Sequence, residues 1–416
     1  MSKVVVEGGA RLQGTVGVLG AKNAVLKEMV AALLAPGRHR LTNVPAILDV
    51  ALMRRVLEHT GCHVEQNGHE LWVVVPEELR PEAPIELVRQ MRASIVVLGP
   101  LLARCQLAKV ALPGGDDLGA RPIDMHLQGL ESMGADFDLV HGELVGRVDG
   151  RFKGSEVELP FPSVGATENL LFAGVLAEGD TVIVNAAREP EIEDLIALLT
   201  AMGAEISGGG TSLVTIRGVD KLSPADHHAI PDRLEAGTYA AAAAITNGDV
   251  TITGCNPDHL RMELRKLGES GCEVERGDGW LRVKGPARPA PVDFATLPFP
   301  GFHTDMQPQM VALLSVASGT SVITENLYDA RFRYVGELAR MGADITTEAQ
   351  HAVIRGVERL SGCPVLAPDI RAGAALVLAG LRAEGTTEVV EAEHIDRGYE
   401  DFPGKLRDLG ARIERG

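Results

Sequence analysis

Six polar or charged positions recur along this chain: Lys22, Arg92, Ser163, Asp232, Asp305 and Arg371, with successive gaps of 70, 71, 69, 73 and 66 residues. Each opens, or nearly opens, a stretch that is apolar on all sides. Examples are AVLKEMVAALLA after Lys22-Asn23, ASIVVLGPLLA after Arg92 and AGAALVLAGL after Arg371. A helix apolar all round is a buried helix. Its first turn carries unpaired N–H groups and the positive end of the helix dipole, so it suits an anion. Six copies of one unit, each offering a helix N-terminus, point to a site for a multiply anionic ligand.

A second marker runs in step with the first. A helix ending in glycine and followed by a strand recurs at Gly61, Gly134, Gly203, Gly271, Gly342 and Gly410. Glycine just past a helix is the usual left-handed stop. Between the buried helix and this glycine lies a strand, as in RHRLTNV, DTVIVNA, DVTITGC, TSVITEN and TTEVVEA. After the glycine come alternating strands joined by turns at Asn67-Gly68 and Asp278-Gly279. The unit therefore reads strand, buried helix, strand, amphipathic helix, strand, strand. A period of this kind governs the fold before any local motif does.

Three units with one enclosed helix each make a compact domain, and the chain is too long for one ordinary core. The expected fold is α/β, with two inside-out α/β domains of three βαβαββ units each. The boundaries fall at 1–21 plus 231–416 for one domain and 22–230 for the other. The strand-like start, Val4–Glu7 and Thr15–Leu19, is expected to pair with the last unit. The proline-rich stretch Gly285–Pro300 reads as an internal connection, because the repeat continues through it in phase.

The formal charge is −17. That balance argues against a broad nucleic-acid or anionic-membrane surface, so an anionic ligand must be held by a few placed cations. Five cysteines lie far apart with no CxxC, which reads as reduced thiols in a cytoplasmic protein. MSKVVVEGG lacks the form of a signal peptide, and the apolar run Ser94–Ala103 is too short to span a bilayer. There is no GxxxxGK[ST] loop, no GxGxxG after a strand and no HExxH, and His227-His228 lacks metal-ligand spacing. Two Trp and four Tyr are too few for a base-stacking platform. No residue pattern points to an oligomeric state.

The units differ in ways that suggest chemistry. LGAKNA places Lys22 and Asn23 at a buried helix start, as an anion site or a solvated cap. In ALPGGDDLGARPIDMH, Asp116 and Asp117 precede Arg121, and glycine-rich loops of this kind often carry function. Two adjacent buried carboxyls would repel, so one could hold a proton. The alternative is an exposed acidic turn. In FPSVGATEN, Ser163 is either a diphosphate contact or an ordinary N-cap. Asp305 in GFHTDMQPQ is either an N-cap or a general base. Arg331, Arg371 and Arg397 could fork onto phosphate or carboxylate, or be surface and salt-bridge residues.

LGAKNA, PGGDDLGARPIDMH, FPSVGATEN, REPEIEDL, TDMQPQ, ENLYDARF and HIDRGYE together resemble the UDP-N-acetylglucosamine 1-carboxyvinyltransferase branch of the enolpyruvyl transferases, in order and over the whole chain. The sister branch, 5-enolpyruvylshikimate-3-phosphate synthase, typically has Lys-Ser in place of Lys22-Asn23. The resemblance implies two inside-out domains with the active site in the cleft between them. It implies transfer of enolpyruvyl from phosphoenolpyruvate to the 3-hydroxyl of UDP-N-acetylglucosamine through a tetrahedral intermediate, with phosphate released and no metal or cofactor. That reaction is the first committed step of peptidoglycan synthesis.

By the same resemblance, Lys22, Arg121 and Arg397 hold phosphoenolpyruvate, with Arg331 and Arg371 nearby. Asn23, Arg92, Arg121, Pro122, Ile123, Asp124, Met125, Phe161, Pro162, Ser163, Val164, Asp305 and Leu327 line the UDP-sugar. Asp305 takes the hydroxyl proton, and Asp116 protonates the methylene carbon. Most members have Cys after the Gly-Gly pair, and Asp stands there in a minority. Fosfomycin alkylates that thiol, so insensitivity is expected here. Phe161 replaces a Lys found in some members. Shikimate 3-phosphate or another UDP-sugar is the alternative acceptor. A six-unit binding ring like a DNA sliding clamp would need Lys and Arg facing its hole, which the mixed in-phase positions do not supply.

Overall fold

The structure, a computed structural model, describes residues 2–112, 114, 118 and 123–416. Among these, the chain separates into two compact units. Unit I runs from Gly20 to Ile230, apart from Leu118; unit II holds the residues up to Leu19, Leu118, and Pro231 to Gly416.

All six recurrent positions stand at helix starts. Lys22 opens α1 (Lys22–Ala31). Arg92 opens a 3-10 turn that runs into α2 (Leu98–Cys105). Ser163 precedes α3 (Val164–Gly174), and Asp232 precedes α4 (Arg233–Ile245). Asp305 lies in the turn before α5 (Gln307–Leu314), and Arg371 is in the first turn of α6 (Ile370–Arg382). These helices are enclosed, as their apolar circumference requires. Every residue of α4 is buried, including the run Tyr239–Ala244. Small residues let the helices approach: a Cβ at Gly99 on α2 would sit 2.8 Å from the Phe172 Cβ of α3.

Six four-stranded sheets surround the two helix cores. In four of them the strand just before the buried helix lies parallel to the strand after it, and in five an antiparallel hairpin completes the sheet. Glu156–Glu158 beside Asp180–Val184, then Leu213–Arg217 and Glu205–Ser207, is one case. Parallel neighbours need such a helical crossover. The six helix-ending glycines all have positive φ, from 93° to 106°, which only glycine adopts without strain. The hairpin loops are Asp278-Gly279, as expected, and Gly68-His69, because Asn67 still pairs with Glu70.

The chain ends are interleaved. Lys3–Glu7 lies between Thr386–Val390 and Arg412–Arg415 and completes the last sheet of unit II. The second N-terminal strand does not join the last unit as expected: Gln13–Gly17 is the parallel strand beside Asp249–Thr253, because the chain has left the last sheet before it reaches the first buried helix. Asp226–His228 plays the same part for Gly37–Thr42 in unit I. The stretch after Gly285 stays within unit II, where Phe294–Ala295 pairs with Thr320–Thr324. All five cysteines are unpaired, and burial pushes the Cys255 and Cys272 thiols up to about 11. Among the described residues, no helix is long and apolar enough to cross a membrane.

Candidate active site

In unit II the starts of α5 and α6 meet over one carboxylate. Asp305 Oδ1 lies 3.2 Å from Arg331 Nη2, and Asp305 Oδ2 lies 3.3 Å from Arg371 Nε. The Arg331 and Arg371 side chains are only 2% and 4% exposed, against 22% for Asp305. Both arginines are thus buried ion-pair residues, and the surface reading is excluded. Arg331 Nε and Arg371 Nη1 are buried with no hydrogen-bond partner among the described residues. Buried guanidinium donors of this kind are prepared for an anion.

Asp305 is not the N-cap of its turn. His303 holds that position, and its Nδ1 accepts from the Asp305 N–H at 2.9 Å. The carboxylate is therefore left for the arginines. Glu325 organises the approach from below. It accepts from Thr304 Oγ1 at 3.0 Å, just before Asp305, and from Thr296 Oγ1 at 2.9 Å. Its Oε1 also takes the Leu327 N–H at 2.9 Å.

Arg371 has three further supports. Asp369 caps α6 by accepting from Arg371 N at 2.8 Å and Ala372 N at 2.9 Å. The Arg371 guanidinium lies 5.1 Å from the centre of the Tyr399 ring. Tyr399 Oη is 2.8 Å from Thr238 Oγ1, which accepts from Gln309 Nε2 at 3.0 Å. One network therefore ties α4, α5 and α6 together behind Arg371. Arg397 is half-buried and follows the short helix Glu393–Asp396. A Cβ on its neighbour Gly398 would lie 3.7 Å from Arg371 Nη1, so Arg397 stands next to this cluster along the chain.

In unit I, Lys22 Nζ lies 2.9 Å from Asp49 Oδ2, and these side chains are 12% and 1% exposed. Lys22 is thus held by a buried acid, not left as a solvated cap. Asn23 follows on the same turn and is half-buried. One turn on, Lys27 Nζ pairs with Glu168 Oε1 at 3.0 Å. Burial pushes the Glu168 carboxyl up to about 7, with Lys27 opposing and Glu191 and Glu189 adding to the rise.

The helix Asp124–Ser132 lies against α3. His126 Nδ1 is 2.8 Å from Asn169 Nδ2, so that nitrogen accepts and the imidazole is neutral. Burial lowers the His126 pKa to about 4, helped by the charges of Arg92 and Lys27. Arg92 therefore sits near this pair. Ile123 and Met125 are half-buried and Asp124 is exposed at the helix start. Ser163 is the N-cap of α3, its Oγ accepting from Ala166 N at 3.3 Å. Its own N–H donates to the Phe161 carbonyl at 2.7 Å. Phe161 is 41% exposed. Pro162 and Val164 flank the cap. Asp116, Arg121 and Pro122 lie outside the described residues.

Asp49, Glu325, Asp369, Tyr399 and the His126–Asn169 pair were not singled out by sequence. Asp369 had a signal, because Pro368-Asp369 before α6 repeats Pro231-Asp232 before α4. The others are joined only by tertiary contact.

Six sheets around two cores, with buried arginines gathered on a carboxylate at helix starts, define a protein suited to anionic reactants. A family profile described as EPSP synthase (3-phosphoshikimate 1-carboxyvinyltransferase) matches residues 6–406. The chain belongs to this family of carboxyvinyltransferases and is an enzyme of that kind. It is 55% identical over 411 residues to the UDP-N-acetylglucosamine 1-carboxyvinyltransferase of Corynebacterium jeikeium (strain K411), covering 99% of this chain and 98% of that one. It is 52% identical over 413 residues to the protein of the same name from Mycobacterium bovis (strain ATCC BAA-935 / AF2122/97), covering 99% of each. Among solved structures, the enolpyruvyl transferase NikO from Streptomyces tendae superposes with a TM-score of 0.90 at 25% identity, covering 100% of this chain and 98% of that one. EPSP synthase from Acinetobacter baumannii shares the fold, with a TM-score of 0.77 at 19% identity and 100% of each chain covered.

Proposed function

We propose that this enzyme transfers the enolpyruvyl group of phosphoenolpyruvate to the 3-hydroxyl of UDP-N-acetylglucosamine and releases phosphate. The observation that carries the choice of acceptor is the identity of 52% to 55%, over 99% of the chain, to proteins named for that reaction. Lys22-Asn23, in place of Lys-Ser, agrees with it. Such an enzyme would act in the cytoplasm, at the committed step of peptidoglycan synthesis.

The chemistry is an addition followed by an elimination. In the addition, an acid protonates C3 of phosphoenolpyruvate, and the sugar oxygen bonds to C2 as its proton leaves. We assign the acid to Asp116 and the base to Asp305. The elimination removes a C3 proton and expels phosphate, leaving the enol ether. Lys22, Arg121 and Arg397 hold the phosphate and carboxylate, with Arg331 and Arg371 beside them. Asn23, Arg92, Arg121 to Met125, Phe161 to Val164, Asp305 and Leu327 hold the nucleotide sugar. Buried guanidiniums cost no reorganisation when charge develops, which is how they favour the transition state.

Phosphate release from phosphoenolpyruvate, measured with UDP-N-acetylglucosamine, with shikimate 3-phosphate and with no acceptor, tests the reading. Release is expected with the UDP-sugar alone. Turnover with shikimate 3-phosphate and none with the UDP-sugar would overturn it.

A further inference from the structure

Unit I buries a second polar cluster that the transfer reaction does not use. Glu28 comes from α1, Asp194 from the helix Pro190–Ala201 and His227 from the strand Asp226–His228. One ligand atom from each lies within 4.8 Å of the others. His227 Nε2 is 2.9 Å from Asp194 Oδ1 and 3.8 Å from Glu28 Oε1. The Glu28 side chain is fully enclosed, Asp194 is 5% exposed and His227 11%. Among the described residues no N–H or hydroxyl donor reaches either oxygen of Glu28; only a proton shared with the Asp194 carboxyl could bond it.

A buried carboxyl whose oxygens meet no such donor is costly, and such an atom in a native fold calls for a ligand or an ion. Here the orphaned oxygens face two other groups with metal-binding lone pairs. We propose that Glu28, Asp194 and His227 form a structural site for a divalent transition cation of the zinc class. Charge supports this: two carboxylates and a neutral imidazole balance a doubly charged ion. The donor set supports it too, because an imidazole with two carboxylates suits zinc, cobalt or manganese better than magnesium or calcium.

The spacing is also suitable. Ligands about 2.0–2.1 Å from a tetrahedral zinc stand roughly 3.3 Å apart. The observed 2.9 and 3.8 Å lie on either side of that, so small side-chain shifts suffice. The cation takes the place of the proton that burial holds on Glu28 beside Asp194, and the His227 proton moves to Nδ1. The second Asp194 oxygen is already fixed by the Ile230 N–H at 3.0 Å, an outer contact of the kind that orients metal ligands. Water would complete the coordination at the His227 edge. The Ile230 carbonyl accepts from Ala21 N at 2.7 Å, so the site would brace the chain just before Lys22. His227 gave no metal signal in sequence because its partners are 33 and 199 positions away.

The test uses the full-length protein stripped with chelator. Mass-spectrometric metal analysis after equilibration with zinc is expected to find one equivalent. Cobalt is expected to give a visible absorption band, and zinc to raise the melting temperature reversibly, as a ligand of the native state must. Glu28→Gln and Glu28→Leu should lose the equivalent and the band. The leucine fits an apolar helix, so it keeps a folded control if Asp194→Asn fails to fold. Two results overturn the proposal. One is a protein without stoichiometric zinc, whose melting is indifferent to chelator, which means that a proton fills the site. The other is undiminished binding in both Glu28 variants, which means that the ion sits on surface histidines. Neither result bears on the transferase reading, which is scored by phosphate release.

Discussion

Asp305 and Arg371 stand 66 positions apart in the chain, and Asp305 Oδ2 lies 3.3 Å from Arg371 Nε. They occupy corresponding places in consecutive units, at the starts of α5 and α6. The repeat therefore brings an anionic and a cationic side chain together at one point. Asp305→Ala removes the carboxylate that pairs directly with two buried guanidiniums, since Arg331 shares it with Arg371. Breaking a buried pair from one side costs about 3–5 kcal/mol. The partial exposure of Asp305 places the expected loss at the lower end. Asp305→Asn keeps the shape and should fold better. Both variants should lose at least about a hundredfold in turnover if Asp305 is the base. Urea unfolding and phosphate release separate the two effects.

Tyr399 supports Arg371 in two ways, through its ring and through its hydroxyl. Tyr399→Phe keeps the ring but deprives Thr238 and Gln309 of a buried partner, at a cost of about 1–3 kcal/mol. Tyr399→Leu removes the stacking as well. The leucine variant is expected to lose turnover beyond the phenylalanine variant at equal occupancy of substrate. Equal turnover in the two would show that the ring does not position the guanidinium.

The architecture was readable because its period is written in residues with local consequences. Six glycines at left-handed stops and six apolar helices recur in phase, and each requirement is local. The pairing of Lys3–Glu7 with the last sheet was likewise readable, because an unmatched strand at one end needs a vacancy at the other. The cation partners were not readable. Nothing in ILDVAL says that Asp49 reaches Lys22, and nothing near Glu325 says that it holds the turn before Asp305. Those contacts depend on helix rotation and rotamer, which packing decides. His303 shows the same limit in miniature. It takes the cap position two residues before the aspartate that sequence offered for it.

Glu168 should make stability depend on pH. Its carboxyl loses its proton at about 7 in the fold, against an ordinary value of 4.5. Between those values the native chain holds more protons than the unfolded one. The stabilisation is complete below 4.5 and is lost as pH rises through about 7. Each pKa unit corresponds to about 1.4 kcal/mol. Glu168→Gln is always uncharged and can still accept from Lys27, so its unfolding midpoint should fall less across that window. Parallel slopes for the two proteins would refute the assignment.

Gly165 lets the two motifs of unit I pack. A Cβ there would lie 2.8 Å from His126 Cε1 and 3.1 Å from Nε2. The His126 ring cannot easily yield, because Asn169 holds it at 2.8 Å. Gly165→Ala should therefore destabilise by about 1–3 kcal/mol, as overpacking does. Combining it with His126→Ala should recover part of that loss. Additive costs in the double variant would place the strain elsewhere.

Asp116 gives the sharpest chemical prediction of the proposed mechanism. An acid must deliver a proton to the C3 carbon, and either a thiol or a carboxyl can do so when its pKa is suitable. The two differ as nucleophiles. Fosfomycin is an epoxide, and a thiolate opens it far more readily than a carboxylate does. The unmodified enzyme should therefore keep its activity at fosfomycin concentrations that abolish that of Asp116→Cys. Mass spectrometry should find the adduct on the substituted residue alone. Asp116→Asn cannot donate a carboxyl proton, and its turnover should fall by about a hundredfold to ten-thousandfold. Full inhibition of the unmodified enzyme, with a covalent adduct on Asp116, would show that this carboxylate is a strong nucleophile. Full activity in Asp116→Asn would move the proton donor to another residue.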